Sequence, residues 1–279
     1  YKAILDSGID EIFIYCDGLT VDLNKNIKIN ETRKLIKHLC LKNNTIKHKI
    51  KFASQISLGC REGVTSAINW FFEHNEKGII VEDDVIISKI FPAFCLNYFS
   101  ISEHVQFISA SNYGIKPSNG GNFRLSRHAY IWGWATTSKL WSKYEKYIDE
   151  IRIKEILKNN YKNKNYKKYI KFLCEKCILT NNNKIDTWDY QLSFLLFEQN
   201  IINLVPSVSL AKNIGFDSEA THTKEKTPEY AKLLNNFIHL ESSVDINLID
   251  FKADKSVQDL IYLPSLGERI KTKLFKYLK

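Results

Sequence analysis

The sequence predicts an α/β fold with a mostly parallel sheet flanked by helices, and three observations carry that prediction. Two short apolar runs, Ile12 to Cys16 and Ile79 to Val81, each stop at acidic residues, as buried parallel strands do on entering a loop. Between them the apolar spacing changes to a helical period, giving the order strand, helix, strand. The chain has 279 residues, 44% hydrophobic and 25% charged, an ordinary globular mixture long enough to bury a sizeable core.

In order along the chain, Tyr1 to Ser7 reads as the end of a helix stopped by Gly8. The strand ending at Cys16 runs into Asp17-Gly18. Residues 30–41 predict an amphipathic helix with Leu35, Ile36, Leu39 and Cys40 on one side, followed by a strand over Lys49 to Ala53. After Gly59, Val64, Ala67, Ile68, Phe71 and Phe72 share a helical face that ends near Gly78. Ile79 to Val81 is the second buried strand and Val105 to Ser109 a third. Residues 112–127 are rich in Gly, Asn and Ser and predict a loop. Trp132 to Ala135 then leads into a helix through Leu140, Trp141 and Tyr144. Lys154 to Lys176 is strongly basic and largely helical. Asp186 to Gln199 predicts a helix burying Leu192, Leu195 and Leu196, and Leu204 to Leu210 an edge strand interrupted by Pro206. Residues 1–225 form the main domain and 226–279 a basic helical extension.

Composition narrows the function classes. Forty Lys and Arg against 31 Asp and Glu give a formal charge of +9. No run of about 18 apolar residues exists, which excludes a transmembrane helix read from sequence. Six cysteines are too sparse for a disulfide framework and point to a reducing compartment, the cytoplasm. The chain opens at Tyr1 and contains no Met, and it is expected to be part of a longer protein. Cys174 and Cys177 lack the second pair that a zinc site needs, so their spacing reads as ordinary helix periodicity.

The strongest chemical signal is Glu82-Asp83-Asp84 at the tip of the second strand. Three adjacent carboxylates repel one another unless a positive charge sits among them. Ligands of open α/β sheets bind beyond the carboxyl ends of strands. Mg²⁺ and Mn²⁺ favour carboxylate oxygens and bridge them to phosphates. A solvated acidic turn is the plain alternative. A second acidic element, Asp186-Thr187-Trp188-Asp189-Tyr190-Gln191, places a carboxylate beside a bulky indole, where partial desolvation raises basicity. Asp186 also suits a helix cap. His222 fits a metal ligand, a phosphate contact or a polar loop.

Taken in order, Ile14 to Gly18, Leu58 to Arg61, Gly78 to Asp84, Ile131 to Thr136, Asp186 to Gln191 and Asn213 to Thr223 resemble GT-A-type glycosyltransferases that use sugar nucleotides. The likeness is to a bacterial, polysaccharide-linked group and, more distantly, to the N-acetylglucosaminyltransferase I family. It covers most of residues 12–223. The resemblance implies a GT-A, Rossmann-like, mixed but mostly parallel sheet, a UDP-linked sugar donor, Mn²⁺ or Mg²⁺, and a glycan or lipid-linked acceptor. It implies that Asp17 meets the uracil or ribose and that Glu82-Asp83-Asp84 stands for the Asp-x-Asp motif. Asp84 is then the direct metal ligand, with Glu82 and Asp83 at the ribose or at waters. Asp189 matches the catalytic base of inverting relatives, and His222 lies near the metal or pyrophosphate. Trp132-Gly133-Trp134 borders the sugar or acceptor pocket, core packing being the alternative for each Trp. Arg61 assists the departing diphosphate, an exposed helix-start Arg being the alternative. Two departures stand out: the family's opening strand, a central sheet member, has no counterpart, and Ser57 replaces a common Asn.

Two further surfaces are weighed. The basic excess and the Lys-Tyr pattern of 154–176 suit phosphate tracking. Lys, Asn and Ile are abundant throughout, however, so a solvated helix face is expected there rather than a nucleic-acid partner. Arg269 to Lys279 alternates cations with Ile270, Leu274, Phe275 and Leu278. That pattern suits contact with the inner, anionic face of a membrane and equally a helix docked on the domain. A sugar-nucleotide-binding protein without transfer activity is the alternative of a different class.

Overall fold

The computed structural model describes residues 2–5, 8–53, 56–101, 105–216, 227–240 and 248–263. After a short α1 (Lys2–Leu5), β1 (Glu11–Cys16) pairs in parallel with β2 (Lys47–Phe52). The crossover is α2 (Leu23–Lys42), opened by Asp22, whose carboxylate accepts the N–H groups of Asn24 and Lys25. This helix starts well before residue 30 because that cap, and not the apolar spacing, sets its first turn. It buries no residue fully, and Leu35, expected on its inner side, is 55% exposed. Arg33 anchors it by donating to the Asp17 and Ala53 carbonyls. The helix α3 (Gly59–Phe72) and strand β3 (Lys77–Ile80) follow, as the sequence predicts.

Strand direction departs from expectation. Next come β4 (Val85–Ile87), α4 (Phe91–Ile101), β5 (Phe107–Ser109), β6 (Phe123–Ser126), β7 (Trp134–Thr137), α5 (Ser138–Trp141), α6 (Glu150–Asn159), α7 (Lys167–Asn181), α8 (Asp189–Glu198), β8 (Asn203–Pro206) and β9 (Ala211–Asn213). The main sheet has the order β3-β7-β5-β8-β6. Only β5 and β8 are parallel neighbours. The β3–β7, β5–β7 and β6–β8 ladders are antiparallel. The sheet is therefore mixed, not mostly parallel. Two segments cause the difference: residues 134–137, read as a helix lead-in, insert between β3 and β5, and 123–126, read as loop, form the far edge. β8 is consequently an inner strand and not an edge. Its Pro206 is tolerated at the strand's last position, opposite Phe123. The β1–β2 pair shares no ladder with this sheet among the described residues.

Direction decides where the loops collect. Because β3, β5 and β8 run the same way, residues 81–84, 110–113 and 207–210 leave the sheet on one side. There β4 and β9 form a small antiparallel ladder, Val85↔Asn213 to Ile87↔Ala211. Beneath it lies the core of α4, β5 and β8, with Phe91, Phe94, Tyr98 and Ile108 fully enclosed. Across the sheet, Trp134 stacks on Phe107 at 5.2 Å and Trp188 at 5.6 Å. No helix among the described residues is long and apolar enough to cross a membrane.

The last described elements are α9 (Glu229–Lys232) and α10 (Phe251–Val257), the latter running on as a π-type turn over Gln258–Tyr262. α10 is tied to the body by one buried carboxylate. Asp254 accepts from Arg124 at 3.3 Å, the Ser126 hydroxyl at 2.5 Å, the Arg127 N–H at 2.9 Å and the Tyr166 hydroxyl at 2.6 Å. Beside it, burial pushes His128 down to about 4, so its ring is neutral at ordinary pH. A buried pair is costly to break because the remaining charge loses its partner. Asp254→Ala is expected to lower unfolding free energy by about 3–5 kcal/mol in urea titrations. Lys255→Ala, removing only a surface pair to Asp259, should cost under about 1 kcal/mol.

Candidate functional site

The acidic tip is built by the β4–β9 ladder. The Ile214 N–H donates to the Asp84 carbonyl at 2.8 Å, and the Asn213 amide donates to Asp84 Oδ2 at 3.4 Å. Asn213 in turn accepts the Gly215 N–H at 2.7 Å. Gly215 passes so close that a Cβ there would strike the Asp84 carboxylate, and glycine is the one residue the approach permits. Residues 82–84 and 213–215, separate in sequence, thus form one structure.

Electrostatically this tip is under load. Asp84 Oδ1 is buried and has no hydrogen-bond partner. Burial, followed by the charge of Asp83, pushes the Asp84 carboxyl up. Burial pushes Glu82 up to about 7, reinforced by Asp84, Asp189 and Asp83 and opposed by a hydrogen bond from Trp188. Asp83 is exposed. A buried carboxylate oxygen without a donor is the kind of atom a cation satisfies. Among the described residues no three His, Cys, Asp or Glu side chains enclose a metal ion by themselves. Mg²⁺ commonly takes only one or two protein carboxylates and completes its shell with water and phosphate. The donor set at Asp84 fits that pattern.

Asp189 opens α8 half-buried, and its carboxylate accepts from the Thr187 hydroxyl two residues back. Its charge reaches Glu82, Cys60 and Tyr144, which places it in the same field as the acidic tip. Asp186 does cap a helix, though not its own. It accepts the Cys60 and Arg61 N–H groups at 2.8 and 3.1 Å, satisfying the first turn of α3 across the fold. Gly59, at φ +80°, allows this, since a Cβ would sit 2.5 Å from the Asp186 carboxylate. Asp17 lies on the other side of the same turn and accepts from Gly18, Ser57 and Leu58.

Two residues stand elsewhere than expected, and a third falls outside the described residues. Arg61 is 7% exposed, not a helix-start surface residue. Its guanidinium donates to the Thr180 carbonyl and Asn183 and stacks on Tyr147, so it fastens the end of α7 and does not face the acidic tip. Trp134 is fully enclosed in the sheet core and offers no face to a ligand. His222 lies outside the described residues, as does Arg269 to Lys279.

The ring that does stand beside the tip is Trp132. It meets Phe216, next to Gly215, edge-on at 5.6 Å, stacks on Tyr230 at 5.9 Å and is met edge-on by Tyr113 at 4.9 Å. Tyr113 holds φ +52°, uncommon for a bulky residue. Tyr113 and Tyr230 were not singled out from sequence. One sits in a Gly- and Asn-rich stretch and the other in the charged tail, with no periodic signal to mark either.

No known protein family and no curated protein matches the chain.

The raised carboxyls have a measurable consequence. Glu82 binds its proton more tightly folded than unfolded, so its stabilising contribution is complete below its unfolded value and is lost as pH rises through about 7. Asp84 acts with the same sign. Without divalent cation, the urea midpoint should fall between acid and neutral pH, and Glu82→Gln should flatten that decline. NMR titration of Glu82 should give a midpoint near 7 that moves down on adding Mg²⁺. Gly215→Ala should displace Asp84 and erase the Mg²⁺ response.

Proposed function

We propose that the chain is a metal-dependent glycosyltransferase moving a sugar from a nucleotide-diphosphate donor, UDP-linked, to a glycan or lipid-linked acceptor with inversion at the anomeric carbon. The observation that carries this reading is the buried, partnerless oxygen of Asp84. It lies in a cluster where Glu82 and Asp189 feel one another's charge. The resemblance drawn from the motifs supplies the substrate class.

Asp84 is the residue that would hold Mn²⁺ or Mg²⁺, oriented by Asn213 and by the Ile214 N–H. When bound, the cation supplies Lewis acidity for the negative charge on the departing nucleoside diphosphate. Asp189 accepts the proton of the acceptor hydroxyl as that oxygen bonds to the anomeric carbon and the bond from carbon to phosphate oxygen breaks. The Thr187 hydroxyl fixes the orientation of that carboxylate, and Trp188 beneath it excludes water. Of the Trp132-Gly133-Trp134 stretch expected to border the sugar pocket, Trp132 offers the aromatic surface for a sugar ring, Trp134 being enclosed in the core. Asp17 orients the base or ribose through the 57–58 turn it holds.

Asp189→Asn is expected to cut transfer by about 10²–10⁴-fold while leaving UDP affinity unchanged. Asp84→Ala should remove the Mn²⁺ dependence of UDP binding in calorimetry. Equal transfer by wild type and Asp189→Asn overturns the base assignment. Metal-dependent binding by wild type with neither transfer nor donor hydrolysis would indicate a sugar-nucleotide-binding protein instead.

A further inference from the structure

The structure has a concavity that none of Asp17, Glu82, Asp84 or Asp189 lines. It has a volume of about 420 Å³, within the range of small-molecule sites, and is bounded by α6, the 160–166 turn, the end of α8 and the start of α10. Its wall carries four side-chain amides, Asn159, Asn160, Asn163 and Asn200; those of Asn160 and Asn163 are bonded to each other and to backbone groups, which leaves the Asn159 amide and the Asn200 NH₂ to face a ligand. An amide carries a donor and an acceptor on one group and so matches a hydroxyl, which is also both.

Charge argues against an ionic ligand. The four charged residues of the wall are Arg127, Arg152, Glu155 and Glu198, two of each sign. Arg152 is already forked between Glu145 and Glu198, with contacts of 2.6 to 2.8 Å. Arg127 spends its guanidinium on the Asn200 amide oxygen at 2.9 Å and the Phe197 carbonyl at 2.8 Å. The outer nitrogens of both guanidiniums are thus engaged, and the Arg127 nitrogen without a partner, Nε, is buried.

An apolar face is present as well. Phe251 at the head of α10 is 48% exposed at the rim, beside the buried Tyr166 and Phe197. Aromatic faces pack against the C–H surface of sugar rings while amides take the hydroxyls around them. The wall is also held rigid. Tyr166 donates to Asp254, and Arg127 gives its N–H to the same carboxylate, so the buried network that docks α10 fixes three sides of the cavity together.

We propose that this cavity binds a neutral saccharide, one or two sugar units of a glycan, with Phe251 as the stacking platform and the amides of Asn159 and Asn200 as hydroxyl partners. The site stands on its own chemistry and does not require the transfer reaction. In a glycosyltransferase it would grip an acceptor glycan at a distance from the reacting end.

The test uses the full chain and neutral oligosaccharides of two to four units built from glucose, galactose or N-acetylglucosamine, read by saturation-transfer NMR and calorimetry. At least one should bind, with affinity lowered at least tenfold by Phe251→Ala and also by Asn200→Gly. Asn200 holds φ +54°, so glycine there keeps the backbone and removes only the amide. Asp84→Ala should leave this binding unchanged, which separates failure of this site from failure of the proposed transfer activity. The inference is overturned if no member binds, if binding survives both cavity variants, if Asp84→Ala abolishes it, or if inorganic phosphate displaces the sugar.

Discussion

The fold depends on how a few carboxylates are accommodated. Three of them, buried Asp254, half-buried Asp84 and exposed Asp186, join segments far apart in the chain, each by a different solution. Asp254 is satisfied in full by a guanidinium, two hydroxyls and a backbone N–H. Asp186 is satisfied by the open first turn of α3. Asp84 is left one oxygen short. The same chain that fully satisfies the buried Asp254 leaves the half-buried Asp84 oriented by Asn213 but with its other oxygen unpartnered.

The mixed sheet makes this arrangement possible. Had 134–137 been a helix, β3 and β5 would have been free to lie side by side. With β7 between them, β3 is held at one edge and its carboxyl end projects into the space closed by β4 and β9. Two features then set the local geometry: Gly215, which lets the 213–215 backbone press on Asp84, and the buried Trp188, which donates a hydrogen bond to Glu82. Packing and electrostatics meet at the same few residues, and the raised carboxyls follow from that meeting.

Several residues with chemical potential are spent on structure. Arg61 closes the end of α7, and Trp134 fills the sheet core between Phe107 and Trp188. Their residue types invited functional readings because Arg and Trp also serve ligands. The deciding fact is what lies within reach of the side chain, which neighbours in sequence do not reveal. In the same way the amide-lined cavity is assembled from four separate stretches, and no single stretch advertises it.

The sequence alone determined the helices with strong periodicity, α3 and α8, the strands β1, β3 and β5, and the carboxylates at the tip of β3, because local apolar spacing and strand-end acids are properties of contiguous residues. The resemblance also grouped 82–84 with 186–191 and 213–223, and the structure brings 84 and 213–215 into contact. Only the tertiary structure decided strand direction and order, the inner position of β8, the enclosure of Trp134 in the core, and the partners of Asp186 and Arg61. Those outcomes depend on which distant surfaces meet. A four-residue segment such as 134–137 or 123–126 takes its conformation from the neighbours it pairs with, since so short a run carries too little periodic signal to specify one by itself.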